Sequence, residues 1–275
     1  MHIQRNTHVS FKAMSKSILK TPISETDYAS ACDRIQTLVQ TKQSSYLIAA
    51  NVHVVMTAYW QKTYRQIVNG AAIVTPDGMP LVWGMRLLGA KHQQRVYGPD
   101  LMLAWCDRAQ KRNLSIYLYG STPQTLEKLS QNLQNTFPRL KIAGSHSPPF
   151  RALSSAEEAV DRERIQQSGA AVVFVGLGCP KQEEWMHRQL GKLNAVMIGV
   201  GAAFSFHSGE VAQAPRWMMQ FGLEWLFRLC QEPERLWTRY LFTNSAFIYL
   251  FSKQLIKHYL SNFVERPTAS STLPE

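Results

Sequence analysis

Ala71-Ala72-Ile73-Val74-Thr75-Pro76-Asp77-Gly78-Met79 reads as a buried strand that stops on a stiffened turn with a carboxylate at its tip. Its apolar residues run on without alternation, as in a strand covered on both faces. Pro76 restricts φ on the approach, and Gly78 lets the backbone turn sharply behind Asp77. In open α/β sheets the ligand lies in the crevice beyond the carboxyl ends of the strands, which is where Asp77 falls. An Asp at such a turn serves equally well as the cap of a helix starting near Met79. The flanking sequence decides between the two.

Working outward, the same pattern recurs five times. Tyr46-Leu47-Ile48-Ala49-Ala50 ends at Asn51, and Ser115-Ile116-Tyr117-Leu118-Tyr119 is closed by Gly120. Leu140 to Gly144 is a short run, Ala171 to Val175 ends in Gly176-Leu177-Gly178, and Ala195 to Gly199 ends in Val200-Gly201. Helical spacing fills the gaps: Ala31, Ile35 and Leu38-Val39 within 27–40, the stretch Val52 to Val68, then Leu81, Val82, Met85 and Leu88. Short strands alternating with longer helices predict an α/β fold, a doubly wound, mostly parallel, Rossmann-like sheet over residues 21–211. Residues 1–20 read as a flexible basic arm.

After Gly209 no strand pattern remains, and 212–264 reads as a helical C-terminal appendage rich in Trp, Phe, Leu and Arg. Leu241, Phe242, Phe247, Ile248, Leu250, Phe251, Leu255, Ile256, Tyr259 and Leu260 form a broad apolar face, which Lys253 and Lys257 interrupt. That rules out some twenty uninterrupted apolar residues crossing a bilayer. The face either packs on the core or a second copy, or lies in a membrane interface with its Lys heads toward lipid phosphates. The membrane-binding reading is the one carried forward, and a cut after Gln213 is expected to leave a folded, soluble core. Residues 265–275 read as a disordered tail.

A net charge of +11 calls for a negative partner: nucleic acid, an anionic membrane leaflet or a phosphate-bearing substrate. No basic reading helix, zinc finger or aromatic RNA-binding strand is present, which argues against nucleic acid. Cys32, Cys106, Cys179 and Cys230 form no CxxC pair and read as free thiols of a reducing compartment. The first twenty residues lack the apolar stretch of a signal peptide, so the expected location is cytoplasmic.

Two turns suit a phosphate. Gly120-Ser121-Thr122-Pro123-Gln124 and Gly176-Leu177-Gly178-Cys179-Pro180-Lys181-Gln182-Glu183 each place Gly-flexed backbone and a proline at the start of a helix, whose free N–H groups favour anions. Gly120, Gly178, Lys181, Gln182 and Glu183 are the candidates there. Gly199-Val200-Gly201-Ala202-Ala203-Phe204 lacks the third glycine of a dinucleotide fingerprint, which makes an NAD-type oxidoreductase a weak alternative. No Asp-x-Asp stands at a strand end and the histidines show no ligand spacing, so neither metal nor cofactor is expected. A leaving diphosphate would then be neutralised by arginines and helix ends, with Arg95, Arg228, Arg235 and Arg239 as candidates.

Five stretches taken in order resemble the WecG/TagA/CpsF family of bacterial glycosyltransferases over about residues 20–250. They are Asn51-Val52-His53-Val54-Val55, Pro76-Asp77-Gly78-Met79, Arg95-Val96-Tyr97-Gly98-Pro99-Asp100, Val175 to Glu183, and Gly222-Leu223-Glu224-Trp225-Leu226-Phe227-Arg228-Leu229 with Glu232-Pro233 and Arg239-Tyr240. The resemblance implies inverting, metal-independent transfer from a UDP-sugar to a polyprenyl-diphosphate-linked saccharide, in cell-surface polysaccharide synthesis. The enzyme would be peripheral on the inner face of the cell membrane. Asp77 would be the general base, and Asn51 would orient the donor sugar or the base. Arg95 and Gln182 would hold donor or acceptor groups, Asp100 would line the binding site, and Arg228, Arg235 and Arg239 would sit near a diphosphate. Ala49, Gln213 and Pro99 depart from the family pattern, and the first two leave the donor open among N-acetylmannosamine, its uronic acid and a hexose. A membrane adaptor without turnover is the competing reading, and a homo-oligomer is compatible with either.

Overall fold

The computed structural model describes residues 14–264. In chain order the elements are β1 (Ser15–Ile18), β2 (Thr21–Ser24), α1 (Tyr28–Gln40), β3 (Ser45–Ala50), α2 (Val52–Trp60), α3 (Lys62–Asn69), β4 (Ile73–Pro76) and α4 (Met79–Leu87). There follow α5 (Gly98–Arg112), β5 (Ser115–Gly120), α6 (Pro123–Thr136), β6 (Lys141–His146), α7 (Ser155–Ser168), β7 (Val172–Gly176), α8 (Lys181–Gln189), β8 (Val196–Gly199) and α9 (Ala203–His207). The C-terminal helices are α10 (Arg216–Gln220), α11 (Glu224–Gln231) and α12 (Pro233–Val264).

Each of the six expected apolar runs is a strand of one sheet in the order β4-β3-β8-β7-β5-β6, and every pairing in it is parallel. Successive side chains enter opposite layers. Tyr46, Ile48 and Ala50 of β3 join the core beneath α2, α3 and α8, while Leu47 joins the core beneath α1, α5, α6 and α9. The helix after β3 therefore covers one face and the helix after the adjacent β8 covers the other. Between them opens the crevice that an α/β sheet offers a ligand. The helical stretch expected over 52–68 divides at Gln61 into α2 and α3.

Two assignments differ from expectation. Residues 15–20 are not part of a loose arm: β1 and β2 form an antiparallel hairpin, with Ile18 and Ile23 fully buried. Its turn, Leu19-Lys20, has φ of 47° and 72°, left-handed at both central positions as in a hairpin turn normally built from Asn-Gly. A turn without Gly or Asn carries no sequence signal, and its strain has to be held by outside contacts. Gln254 of α12 supplies them, accepting from Leu19 N at 2.8 Å and donating to Ser17 O at 2.6 Å. The rest of the expected arm, and the tail 265–275, lie outside the described residues.

The second difference concerns the appendage. Phe247 and Phe251 of α12 are buried, stack at 5.5 Å, and belong to the same core as β3 and α2. A Cβ on Gly84 would stand 2.9 Å from Phe251 Cζ, so α4 and α12 meet closely at that glycine. One side of the apolar face is thus core packing. The other exposes Ile248, Tyr249, Ile256 and Leu260. Among the described residues no helix is long and apolar enough to cross a membrane.

Gly120 has a structural reason to be glycine. It pairs with Gly176 across β5 and β7, holds φ at +119°, and a Cβ there would stand 2.6 Å from Gly176 O. Backbone strain and a backbone clash add, so Gly120→Ala is expected to cost about 3 kcal/mol or more. Scanning calorimetry should show a melting point lower by roughly 6–12 °C. An unchanged melting point would mean that the two strand ends part easily.

Candidate active site

The crevice is assembled from strand ends. Ala50 pairs with Pro76 in register, so Asn51 and Asp77 leave the sheet side by side. Asp77 N donates to Ala50 O at 2.8 Å. Asn51 caps α2 by accepting from Val54 N at 3.2 Å. Gly78 packs on it so closely that a Cβ would stand 3.3 Å from Asn51 Cα.

Asp77 does cap a helix, but not the one beginning at Met79. Its Oδ1 accepts from Gly98 N at 2.6 Å, the first residue of α5. Burial pushes its carboxyl up to about 7; Arg95, the Gly98 N–H and Arg228 oppose the shift, while Glu224 adds to it. A carboxyl set near neutrality beside two arginines is suited to taking a proton at physiological pH.

Arg95 is held on three sides. Its Nε donates to Asp77 O, its guanidinium stacks 4.0 Å from the Tyr97 ring, and its NH2 meets Glu224 Oε2 at 2.5 Å. The Tyr97 hydroxyl donates to the other Glu224 oxygen at 2.9 Å. Asp100 accepts from Arg216 at 3.0 Å and from the Tyr28 hydroxyl at 3.5 Å. Helices α10 and α11 therefore grip the rim of the crevice through two ion pairs. Arg228 stacks at 5.8 Å over Phe206, and its buried Nε has no hydrogen-bond partner among the described residues.

The remaining candidates divide. Arg235 is exposed and pairs with Glu232 on its own helical turn. Arg239 lies on α12, but its side chain is outside the described residues. Lys181 is exposed at the start of α8. Gln182 and Glu183 are buried and serve each other: Gln182 Nε2 donates to Glu183 Oε1 at 2.6 Å, while Gln182 Oε1 accepts from Gly201 N at 3.1 Å. They brace the turn after β8 that walls the crevice. Burial also pushes the Glu183 carboxyl up to about 7.

The first phosphate-type turn is built as expected, with Thr122 at the N-cap and Pro123 at the first helical position, whereas the second is not. Thr122 caps α6 by accepting from Thr125 N at 3.1 Å, and the Thr125 hydroxyl donates to Glu210 at 2.7 Å. A carboxylate of the chain itself thus stands at this helix start. In the second turn Gly178 holds φ at +78° with open space around it. Pro180 follows a cis bond and precedes the helix, where it had been expected to be its first residue.

Tyr97 and Glu224 stand in the stretches that carry the resemblance, but the sequence assigns neither of them a role. Glu224 is a lone carboxylate in an apolar stretch at a helix start, which reads as an ordinary partner of the helix dipole. Only the fold brings it to Arg95, 129 residues away in sequence.

The family model for Glycosyl transferase WecG/TagA/CpsF family matches residues 16–261. The chain is also similar to an N-acetylglucosaminyldiphosphoundecaprenol N-acetyl-beta-D-mannosaminyltransferase of Bacillus spizizenii, 30% identical over 206 residues, which cover 74% of this chain and 78% of that protein. It is similar to a protein of the same name from Bacillus subtilis, 28% identical over 204 residues, or 74% of this chain and 77% of the other.

Proposed function

We propose, since this chain belongs to the WecG/TagA/CpsF family of glycosyl transferases and is a glycosyltransferase, that it moves a sugar from a UDP-sugar to a polyprenyl-diphosphate-linked N-acetylglucosamine. The names of the two relatives support that acceptor and favour N-acetylmannosamine as the sugar moved. The observation that carries the reading is the Asp77 carboxyl, raised to about 7 between Arg95 and Arg228 at the mouth of the crevice.

In this reading the Asp77 carboxylate takes the proton of the acceptor hydroxyl. The hydroxyl oxygen attacks the anomeric carbon as the bond to UDP breaks, and UDP leaves with the electron pair. One displacement inverts the anomeric centre. Charge on the leaving diphosphate is met by the guanidinium groups of Arg95 and Arg228 in place of a metal. Asn51, beside Asp77 at the strand ends, would orient donor or base. The acceptor's lipid brings the enzyme to a membrane. The exposed side of α12 with Lys253, together with Trp83 and Leu87 of α4, supports peripheral attachment at the inner face.

The test is UDP release by the purified protein, with a panel of UDP-sugars and a short-chain polyprenyl-diphosphate N-acetylglucosamine, with and without EDTA. Acceptor-dependent release with one donor, unaffected by EDTA, is expected. Vesicle binding without release from any pair would favour a membrane adaptor instead.

A further inference from the structure

The Arg95–Glu224–Tyr97 cluster is the most heavily built polar group of the crevice. Both partners of the ion pair keep only 15% of their side-chain surface exposed. Both Glu224 oxygens are used, one by Arg95 and one by the Tyr97 hydroxyl. The same guanidinium reaches the Asp77 main chain through Nε. A half-buried carboxylate is stabilised where its partners are well aligned, and here one partner lies against the candidate base. Glu224 comes from α11, whereas Arg95, Tyr97 and Asp77 belong to the α/β domain. The contact therefore exists only while the appendage is seated on the crevice.

We infer that Glu224 is a positioning residue of the transfer centre: delivered by the appendage, its carboxylate locks the Arg95 fork and sets a second negative charge beside Asp77. The inference rests on the transfer reading above and deepens it. An Arg donates five N–H groups in a fixed fork. Nε and one N–H of NH2 are already committed, so the others stay aligned for a diphosphate. The groups round Asp77 are Arg95 and Tyr97 before and at the start of α5, Tyr28 on α1 with Asp100 on α5, and Arg228 and Glu224 on α11. Of these, Glu224 is the carboxylate that acts on Asp77 to keep its proton affinity up. Taking its charge away leaves burial alone to hold the Asp77 carboxyl up against Arg95 and Arg228, so its proton affinity falls and it becomes a weaker base.

The experiment compares wild type, Glu224→Gln and Tyr97→Phe. Its first readout needs no turnover: titration of the Asp77 carboxyl by NMR on aspartate-labelled protein, assigned with Asp77→Asn. Glu224→Gln keeps an oxygen that accepts from Tyr97 or Arg95, and should melt close to wild type. Its Asp77 midpoint should fall by about one pH unit or more. Tyr97→Phe keeps both charges and should leave the midpoint in place. The second readout is the transfer itself, in which Glu224→Gln should lower kcat by roughly tenfold with the donor KM little changed. Its kcat/KM profile should lose activity at a lower pH than wild type. An unmoved Asp77 midpoint in a folded Glu224→Gln protein would overturn the inference even if transfer is confirmed. A moved midpoint in a protein that transfers nothing would uphold the electrostatic coupling while removing the transfer reading.

Discussion

Asp77→Asn is expected to lower kcat by about 10²–10⁴-fold while leaving UDP binding intact. The amide keeps an oxygen to accept from Gly98 N, so α5 stays capped and the crevice keeps its shape. What is lost is the ability to take a proton. In the wild type, kcat/KM should fall away as pH drops through about 7, where the Asp77 carboxyl gains its proton. The same shift sets the sign of a stability effect. The folded-state value lies above that of an unfolded aspartate, so the folded protein holds this proton more tightly. Stability from this group is complete below about pH 4 and declines as pH rises through about 7. Asn has no charge to bury, so the mutant should melt at or above the wild-type temperature at pH 8. Transfer at the wild-type rate by a folded Asp77→Asn protein would remove Asp77 from the role of base. A lower melting point at pH 8 would mean that the Asp77 charge stabilises the crevice.

Removing everything after Gln213 is expected to abolish activity and to leave a chain that aggregates or melts far below the intact protein. The sequence alone predicts a folded, soluble core. Phe247 and Phe251 decide the matter, because both are buried in the main core, and Phe251 lies against Gly84 and α4. Burying side chains of this size contributes about 2–3 kcal/mol each, so losing the pair takes about 5 kcal/mol from a fold whose whole stability is commonly 5–15 kcal/mol. The cut also bares Ile18 and removes Gln254 from the Leu19-Lys20 turn. Size-exclusion chromatography and a thermal melt test this. A monomeric fragment melting within a few degrees of the full chain would show that α12 is dispensable for folding.

The parallel sheet was legible because fully buried strands write themselves as unbroken apolar runs. Ala71 to Val74 and Ala171 to Val175 need no context to be read. The strand-end turns followed, and with them Asn51 and Asp77, since the crevice of such a sheet has a known place. The hairpin was not legible: Leu19-Lys20 lacks turn residues, and Ser15 to Ser24 is too short and polar to announce two strands. Gln182 and Glu183 were read as ligand contacts because they follow a glycine-rich turn, yet burial turns them toward each other and toward Gly201. Periodicity marked α12 as amphipathic but could not divide its apolar face between core and surface. That division depends on Gly84, a residue far away in sequence whose missing side chain admits Phe251.

The grip of Gln254 on the Leu19-Lys20 turn spans 235 residues, and this sets an order on events at the ribosome. Among the described residues the hairpin is translated long before α12, so the groove it forms with α2 and α4 stays uncovered until Phe247, Phe251 and Gln254 have emerged. While those residues are being made, the nascent chain therefore carries an open greasy seam and a strained turn that Gln254 does not yet hold. The hairpin is made well before the helix that seals it, and a chaperone that shelters that seam would serve this chain best during translation.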